Sequence, residues 1–174
     1  DSEYLTTFTQ AVRTKYPELP LHHTEYMDSD ALAIEPALAR EYATALDIFL
    51  TGIARFRARI QGHWSRLVAF PEHFDMSTVW YTHPEFDEHQ PHVAVGFAPF
   101  SPGFDRPYWY AYAYPYPENF VPPALPKPAR WILEPWRGVV IDYDALLGED
   151  DPALKIEQLS GEIFDILRTL LDKP

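Results

Sequence analysis

The stretch P-Y-W-Y-A-Y-A-Y-P-Y-P, residues 107–117, decides the fold because its residue types alternate without a break. Five tyrosines occupy every second position: Tyr108, Tyr110, Tyr112, Tyr114 and Tyr116. Alternate residues of an extended strand share a face, and aromatic residues favour strands. The pattern predicts a strand with one face of phenols and another of Trp109, Ala111 and Ala113, closed by Pro115 and Pro117.

The composition of the chain narrows the classes of protein to which it can belong. At 174 residues, 47% hydrophobic and 23% charged, it is predicted to form one folded globular domain, 1–174. A net charge of −12 argues against nucleic acid and anionic lipid as partners, and no apolar run is long enough to span a membrane. The absence of cysteine leaves the compartment open, but Asp1–Tyr4 shows no signal-peptide pattern, so we expect a cytoplasmic protein.

Three helices are predicted from periodicity and end signals. The longest runs from Glu35 or Pro36 to Gln61, with Gly62 as its stop. Its apolar stripe has spacings of three and four residues and consists of Leu38, Tyr42, Leu46, Phe49, Leu50, Ile53, Phe56 and Ile60. A first helix is predicted over residues 2–16 and a last one from Asp151-Pro152 onward.

The middle of the chain is predicted to form a sheet. Besides the tyrosine strand, the strand predictions are 76–82, 92–98, 130–133 and 138–142, whereas 63–75 is predicted to be irregular. Short connections favour antiparallel neighbours. We therefore expect an α+β fold, with a mostly antiparallel sheet of four or five strands and with the long and C-terminal helices on one face. Ala111 and Ala113 would face those helices, and the phenols would face a groove or a partner.

Four sequence blocks in this order carry a resemblance: F-R-A-R-I-Q-G (56–62), F-P-E-H-F-D-M (70–76), F-S-P-G (100–103) and the tyrosine strand. They resemble a bacterial family known only as a domain of unknown function. The resemblance covers roughly residues 35–172, and this chain lacks the additional N-terminal half of longer members, so it corresponds to their C-terminal half. It implies a shared fold and supplies no activity.

His73 and Asp75 are the candidate catalytic residues. In an extended segment they point the same way, about 6–7 Å apart, and an imidazole beside a carboxylate can act as a general base or a pair of metal ligands. The more common role is structural, with His73 capping a loop and Asp75 accepting backbone N–H groups. The chain has no metalloprotease, nucleophile-elbow or glycine-rich phosphate motif, so we expect no metal and no cofactor.

A second cluster of acids and imidazoles lies between the two strands 76–82 and 92–98. It consists of Glu85, Asp87, Glu88, His89 and His92. Such a cluster can hold zinc or manganese, although loops of this composition are more often simply solvated.

We rank three functions. The first is binding of a small molecule or peptide in an aromatic groove, with Arg57 gripping a ligand carboxylate; the predicted aromatic walls are Tyr108, Tyr110, Tyr112, Tyr114 and Trp80. The second is a protein–protein interaction, including a homodimer, through the aromatic surface. The third is an acid–base or metal-assisted hydrolase that uses His73 and Asp75. The alternative to all three is that the phenols only pack.

Overall fold

The computed structural model describes residues 2–15, 17, 35–70 and 74–171. It divides into two compact units, Asp1–Leu38 and Ala39–Pro174. Helix α1, Ser2–Lys15, belongs to the first unit and confirms the first predicted helix. The proposal of a single domain over the whole chain stays a prediction.

Two further helices begin at prolines, as the sequence predicts. Helix α2 spans Pro36–Arg59 and helix α3 spans Pro152–Leu171. Proline suits the first helical position because its missing N–H would have no partner there. At the start of α3 the Asp151 carboxylate accepts the backbone N–H of Leu154 at 2.9 Å, which is an N-cap. A 3₁₀ turn, Tyr143–Leu146, stands where one helical turn is predicted.

A seven-stranded antiparallel sheet lies between these helices in sequence. Its strands are β1 (His63–Trp64), β2 (Val68–Phe70), β3 (Asp75–Tyr81), β4 (His92–Ala98), β5 (Tyr108–Tyr114), β6 (Arg130–Ile132) and β7 (Gly138–Asp142). The order is β1-β3-β4-β5-β7-β6, and β2 also pairs with β3. The α+β prediction is confirmed. The short strands β1 and β2, which lie in a segment predicted to be irregular, are additions to it.

Helices α2 and α3 cover one face of this sheet. Alternate residues of β4 and β5 share a buried cluster with both helices: Val93, Val95, Phe97, Trp109, Ala111 and Ala113. Phe49 of α2 stacks on Phe97 with ring centroids 4.3 Å apart, and burial of one such ring stabilises the fold by about 1.5–3 kcal/mol. The alanine side of the tyrosine strand therefore faces the helices, as predicted.

The two helices also approach each other closely. A β-carbon placed on Gly52 of α2 would lie 2.7 Å from the Ala153 carbonyl oxygen and from Ile156 Cβ of α3. Further along α2, Arg59 Nε lies 2.8 Å from the Glu157 carboxylate, whose side chain is only 5% exposed. None of the described helices has the length and apolar character needed to cross a membrane.

Candidate functional site

The sheet face opposite α2 and α3 carries a row of tyrosines, which we call the phenol face. It consists of Tyr108, Tyr110, Tyr112 and Tyr114 of β5. The prediction of a fifth member, Tyr116, is wrong because β5 ends at Tyr114 and Pro115 cannot donate a ladder hydrogen bond. Tyr116 instead packs with Phe120 and Trp131 against the helix-side core.

A glycine in the neighbouring strand sets the position of the central phenol. Gly96 of β4 pairs directly with Tyr110, and a β-carbon at Gly96 would lie 2.4 Å from Tyr110 Cζ. The Tyr110 ring therefore lies across β4 in space that any other side chain would fill. Its hydroxyl reaches β3 and donates a hydrogen bond to Asp75 Oδ2 at 3.2 Å.

A cavity of about 220 Å³ opens on the phenol face around this pair. We call it the phenol pocket; its lining residues are Asp75, Ala98, Ser101, Tyr108, Tyr110, Tyr112 and Trp136. Trp136 comes from the loop between β6 and β7, and its ring covers Gly138. The Tyr108 hydroxyl donates to Ser101 Oγ at 2.8 Å, which ties β5 to the turn before it. The pocket thus has aromatic walls and a few fixed polar groups, as small-molecule sites do.

The phenols of the pocket are held in the neutral form. Burial raises the pKa of Tyr110 well above its usual value, and the Asp75 carboxylate raises it further. Burial also raises the pKa of Tyr108, as Asp75 does to a smaller extent, and it raises the pKa of Tyr112. At neutral pH the three phenols therefore act as hydrogen-bonding groups and aromatic surfaces. Among the described residues that line the pocket, Asp75 is the one acidic or basic side chain.

Two residues predicted to share the groove lie on the other side of the sheet. Trp80 pairs with Val93 in the helix-side face and packs edge-on against Phe164 of α3, with centroids 5.3 Å apart. Arg57 of α2 stands over the Trp64 ring at 5.7 Å. The prediction that Arg57 and Trp80 join the tyrosines in one groove is therefore wrong, because each belongs to the helix layer.

The candidate pair His73 and Asp75 is only half described. His73 lies outside the described residues, whereas Asp75 begins β3 and has the Tyr110 phenol as its partner.

The acidic loop between β3 and β4 places His89 Nε2 4.0 Å from Glu88, with both side chains largely exposed. Within the described ranges, no three histidine or acidic side chains are grouped so as to hold a metal ion.

His92, which was grouped with the acidic loop as a possible metal ligand, begins β4 and occupies the far end of the phenol face. It pairs with Tyr114, the rings stack with centroids 5.4 Å apart, and Nδ1 lies 2.8 Å from the Gln90 carbonyl oxygen. Burial lowers the pKa of His92. Tyr114 lies beside this histidine and is not among the residues of the phenol pocket, although it was predicted as a ligand residue.

A sequence model for a family of unknown function, DUF5996, matches residues 9–167. The chain belongs to the DUF5996 family. The match confirms the resemblance drawn from the four sequence blocks and extends further toward the N-terminus, into α1. No curated protein and no solved structure is significantly similar to the chain. Membership of DUF5996 therefore assigns no activity.

Several pocket residues of this DUF5996 chain were missed by the sequence predictions: Ala98, Ser101 and Trp136, together with Gly96 beneath Tyr110. One signal could have found part of this set. The phenol-facing positions of β4 after His92 are Ala94, Gly96 and Ala98, which are all small. Small residues at every second position beside a strand of tyrosines indicate that the rings lean over the neighbouring strand. No comparable signal marks Trp136, which reaches the pocket from a loop.

Proposed function

We propose that this chain is a binding module whose ligand is a small molecule, or the side chain of a peptide, held in the phenol pocket. The observation that supports it is the Tyr110 phenol laid over Gly96 and hydrogen-bonded to Asp75. That arrangement fixes a polar pair at the base of an aromatic cavity. A face of tyrosines that served packing alone would not need a carboxylate beside it.

The two long helices lie on the opposite face, so the phenol pocket opens away from them. The turn 99–106 and the loop that carries Trp136 border it instead: Phe104 stacks on Tyr108 with centroids 4.1 Å apart. Rings held by such contacts form a pre-organised wall, which reduces the entropy lost on binding. The volume of about 220 Å³ is below the usual 300–1,000 Å³ of ligand sites, which favours a small group over a large molecule.

A fragment screen by ¹H–¹⁵N NMR, with two matched variants, tests this proposal. Tyr112→Ala removes a wall of the pocket, whereas Tyr114→Ala removes a ring from the same strand and face outside it. We expect the amide shifts caused by bound fragments to map to β5, the start of β3 and the Trp136 loop. Tyr112→Ala should abolish them, and Tyr114→Ala should keep them. Fragments that shift only other surfaces, or bind Tyr112→Ala unchanged, would contradict the proposal.

A further inference from the structure

We infer that the phenol pocket selects an organic cation, namely an ammonium group on a small apolar body, with Asp75 as its counter-ion. This inference rests on the proposed binding function and names the chemical class of the ligand.

The charge of the pocket is the first reason. Of the lining residues that the structure describes, Asp75 is the one acidic side chain, and none is a lysine or an arginine. Among the described residues Asp75 forms no ion pair, whereas Arg106 and Arg130 pair with other carboxylates: Arg106 lies 2.7 Å from Asp144, and Arg130 lies 2.8 Å from Asp142. A carboxylate left without a cation in a partly buried, aromatic site favours a positive ligand. The net charge of −12 also attracts cationic ligands at long range.

The arrangement of the aromatic rings is the second reason. The rings of Tyr108 and Tyr110 are tilted by 53° with centroids 6.1 Å apart, and Tyr110 meets Trp136 at 75° with centroids 6.4 Å apart. The three rings are therefore inclined to one another and are not stacked in parallel. Aromatic faces are electron-rich and attract cations within about 6 Å, most strongly when water is excluded. The phenol pocket thus combines tyrosine and tryptophan rings at different angles with one carboxylate, which are the components of cages that recognise alkylammonium groups.

The hydrogen-bond direction at the base of the pocket is the third reason. Tyr110 uses its proton to donate to Asp75, and its oxygen also has Ser77 as a hydrogen-bond partner, so the pair at the base of the pocket consists of acceptors. An ammonium N–H can donate to either oxygen, whereas a carboxylate or phosphate would meet acceptors and a like charge. Anionic ligands are therefore selected against. This differs from the prediction drawn from the sequence, in which Arg57 binds a ligand carboxylate.

Choline, tetramethylammonium and butylamine are the probes, and 3,3-dimethylbutan-1-ol, the neutral carbon analogue of choline, is the control ligand. Binding to the full chain is measured by NMR titration of the pocket amides and by calorimetry. At least one cation should bind ten-fold or more tightly than the neutral analogue, and acetate should not bind in the pocket. Asp75→Asn should remove that preference, because the amide keeps the shape and the bond from Tyr110 but not the charge.

Asp47→Asn is the matched control variant. Asp47 lies on the exposed side of α2, so this change removes the same unit of charge away from the pocket. It should leave cation binding unchanged. If the cation and its neutral analogue bind equally well, or if both Asn variants weaken the cation alike, the inference fails while the pocket remains a binding site. If no cation, neutral fragment or anion shifts the pocket amides, both the inference and the proposed function fail.

Discussion

Replacement of Gly96 by alanine tests the geometry on which the site depends. The added β-carbon would lie 2.4 Å from Tyr110 Cζ, 2.6 Å from its hydroxyl oxygen and 2.5 Å from the Met76 carbonyl oxygen. Such distances are far inside van der Waals contact. The Tyr110 ring must leave its place over β4, or β3 and β4 must separate, and either change breaks the hydrogen bond to Asp75.

The expected cost follows from two opposing effects. Overpacking of a fixed site costs about 1–3 kcal/mol, and loss of the bond from Tyr110 to a carboxylate places the cost in the upper part of that range. Alanine has less freedom than glycine in the unfolded chain, which offsets about 0.5–1 kcal/mol. We expect Gly96→Ala to lower the free energy of unfolding by about 1–2 kcal/mol and to weaken any ligand of the phenol pocket.

Gly161 provides the matched control for this prediction. It lies inside α3, and a β-carbon there would meet no described atom within 4 Å apart from its chain neighbours and the adjacent helix backbone, so Gly161→Ala should raise stability by about 0.5–1 kcal/mol. Urea unfolding followed by circular dichroism measures both variants. In a Tyr110→Ala background the cost of Gly96→Ala should shrink, since the ring that collides is gone. If Gly96→Ala is as stable as the parent, the Tyr110 ring does not lie over Gly96.

Three further changes test other parts of the structure. Burial lowers the pKa of His92, so below a pH of about 6.5 the unfolded chain binds a proton that the folded chain does not. The free energy of unfolding should therefore decrease as the pH is lowered through this range, and it should decrease less steeply in His92→Gln. Burial raises the pKa of Tyr116 to about 12, so stability should fall as the pH rises from about 10 to 12, less steeply in Tyr116→Phe, and a slope equal to that of the parent would contradict this assignment. Ser160 of α3 is fully buried and its hydroxyl has no hydrogen-bond partner among the described residues, so Ser160→Ala should raise the free energy of unfolding by up to about 1 kcal/mol, and a loss of stability would indicate a bonded hydroxyl.

Most of the fold could be predicted from the spacing of apolar residues, because a helix or strand that is buried on one face has apolar residues at regular intervals in its sequence. The α2 stripe and the alternation in β4 and β5 gave the helices, the central strands and the side on which the alanines lie. Strands β1 and β2 left no such repeat, since they are short and all three residues of β2 are exposed. They exist because the free edge of β3 offers backbone partners, which depends on tertiary structure and not on local sequence.

The wrong placement of Trp80 has a specific cause in β3. Thr78 is buried on the helix side, where its hydroxyl donates to the Ser65 carbonyl oxygen at 3.2 Å. Thr78 is thus polar on the helix side of β3, and Val79 is apolar on the other side. Because apolar and polar residues do not alternate regularly in this strand, the sequence does not assign Trp80 to the helix layer. Arg57 was misplaced for a related reason: a basic last turn shows that a cation lies near a helix end, but not which neighbour it meets.

The candidate site could be predicted only along one strand, because the sequence orders residues within β5 but not across the sheet. Tyr110 and Asp75 are 35 residues apart and meet only through the pairing of β3 with β4 and of β4 with β5. Once that register is fixed, the two faces of β5 have separable roles. A larger residue at Ala111, which is fully buried against the helices, should damage the fold. A change at Tyr112 should alter the pocket, so binding and stability can be perturbed independently on the same strand.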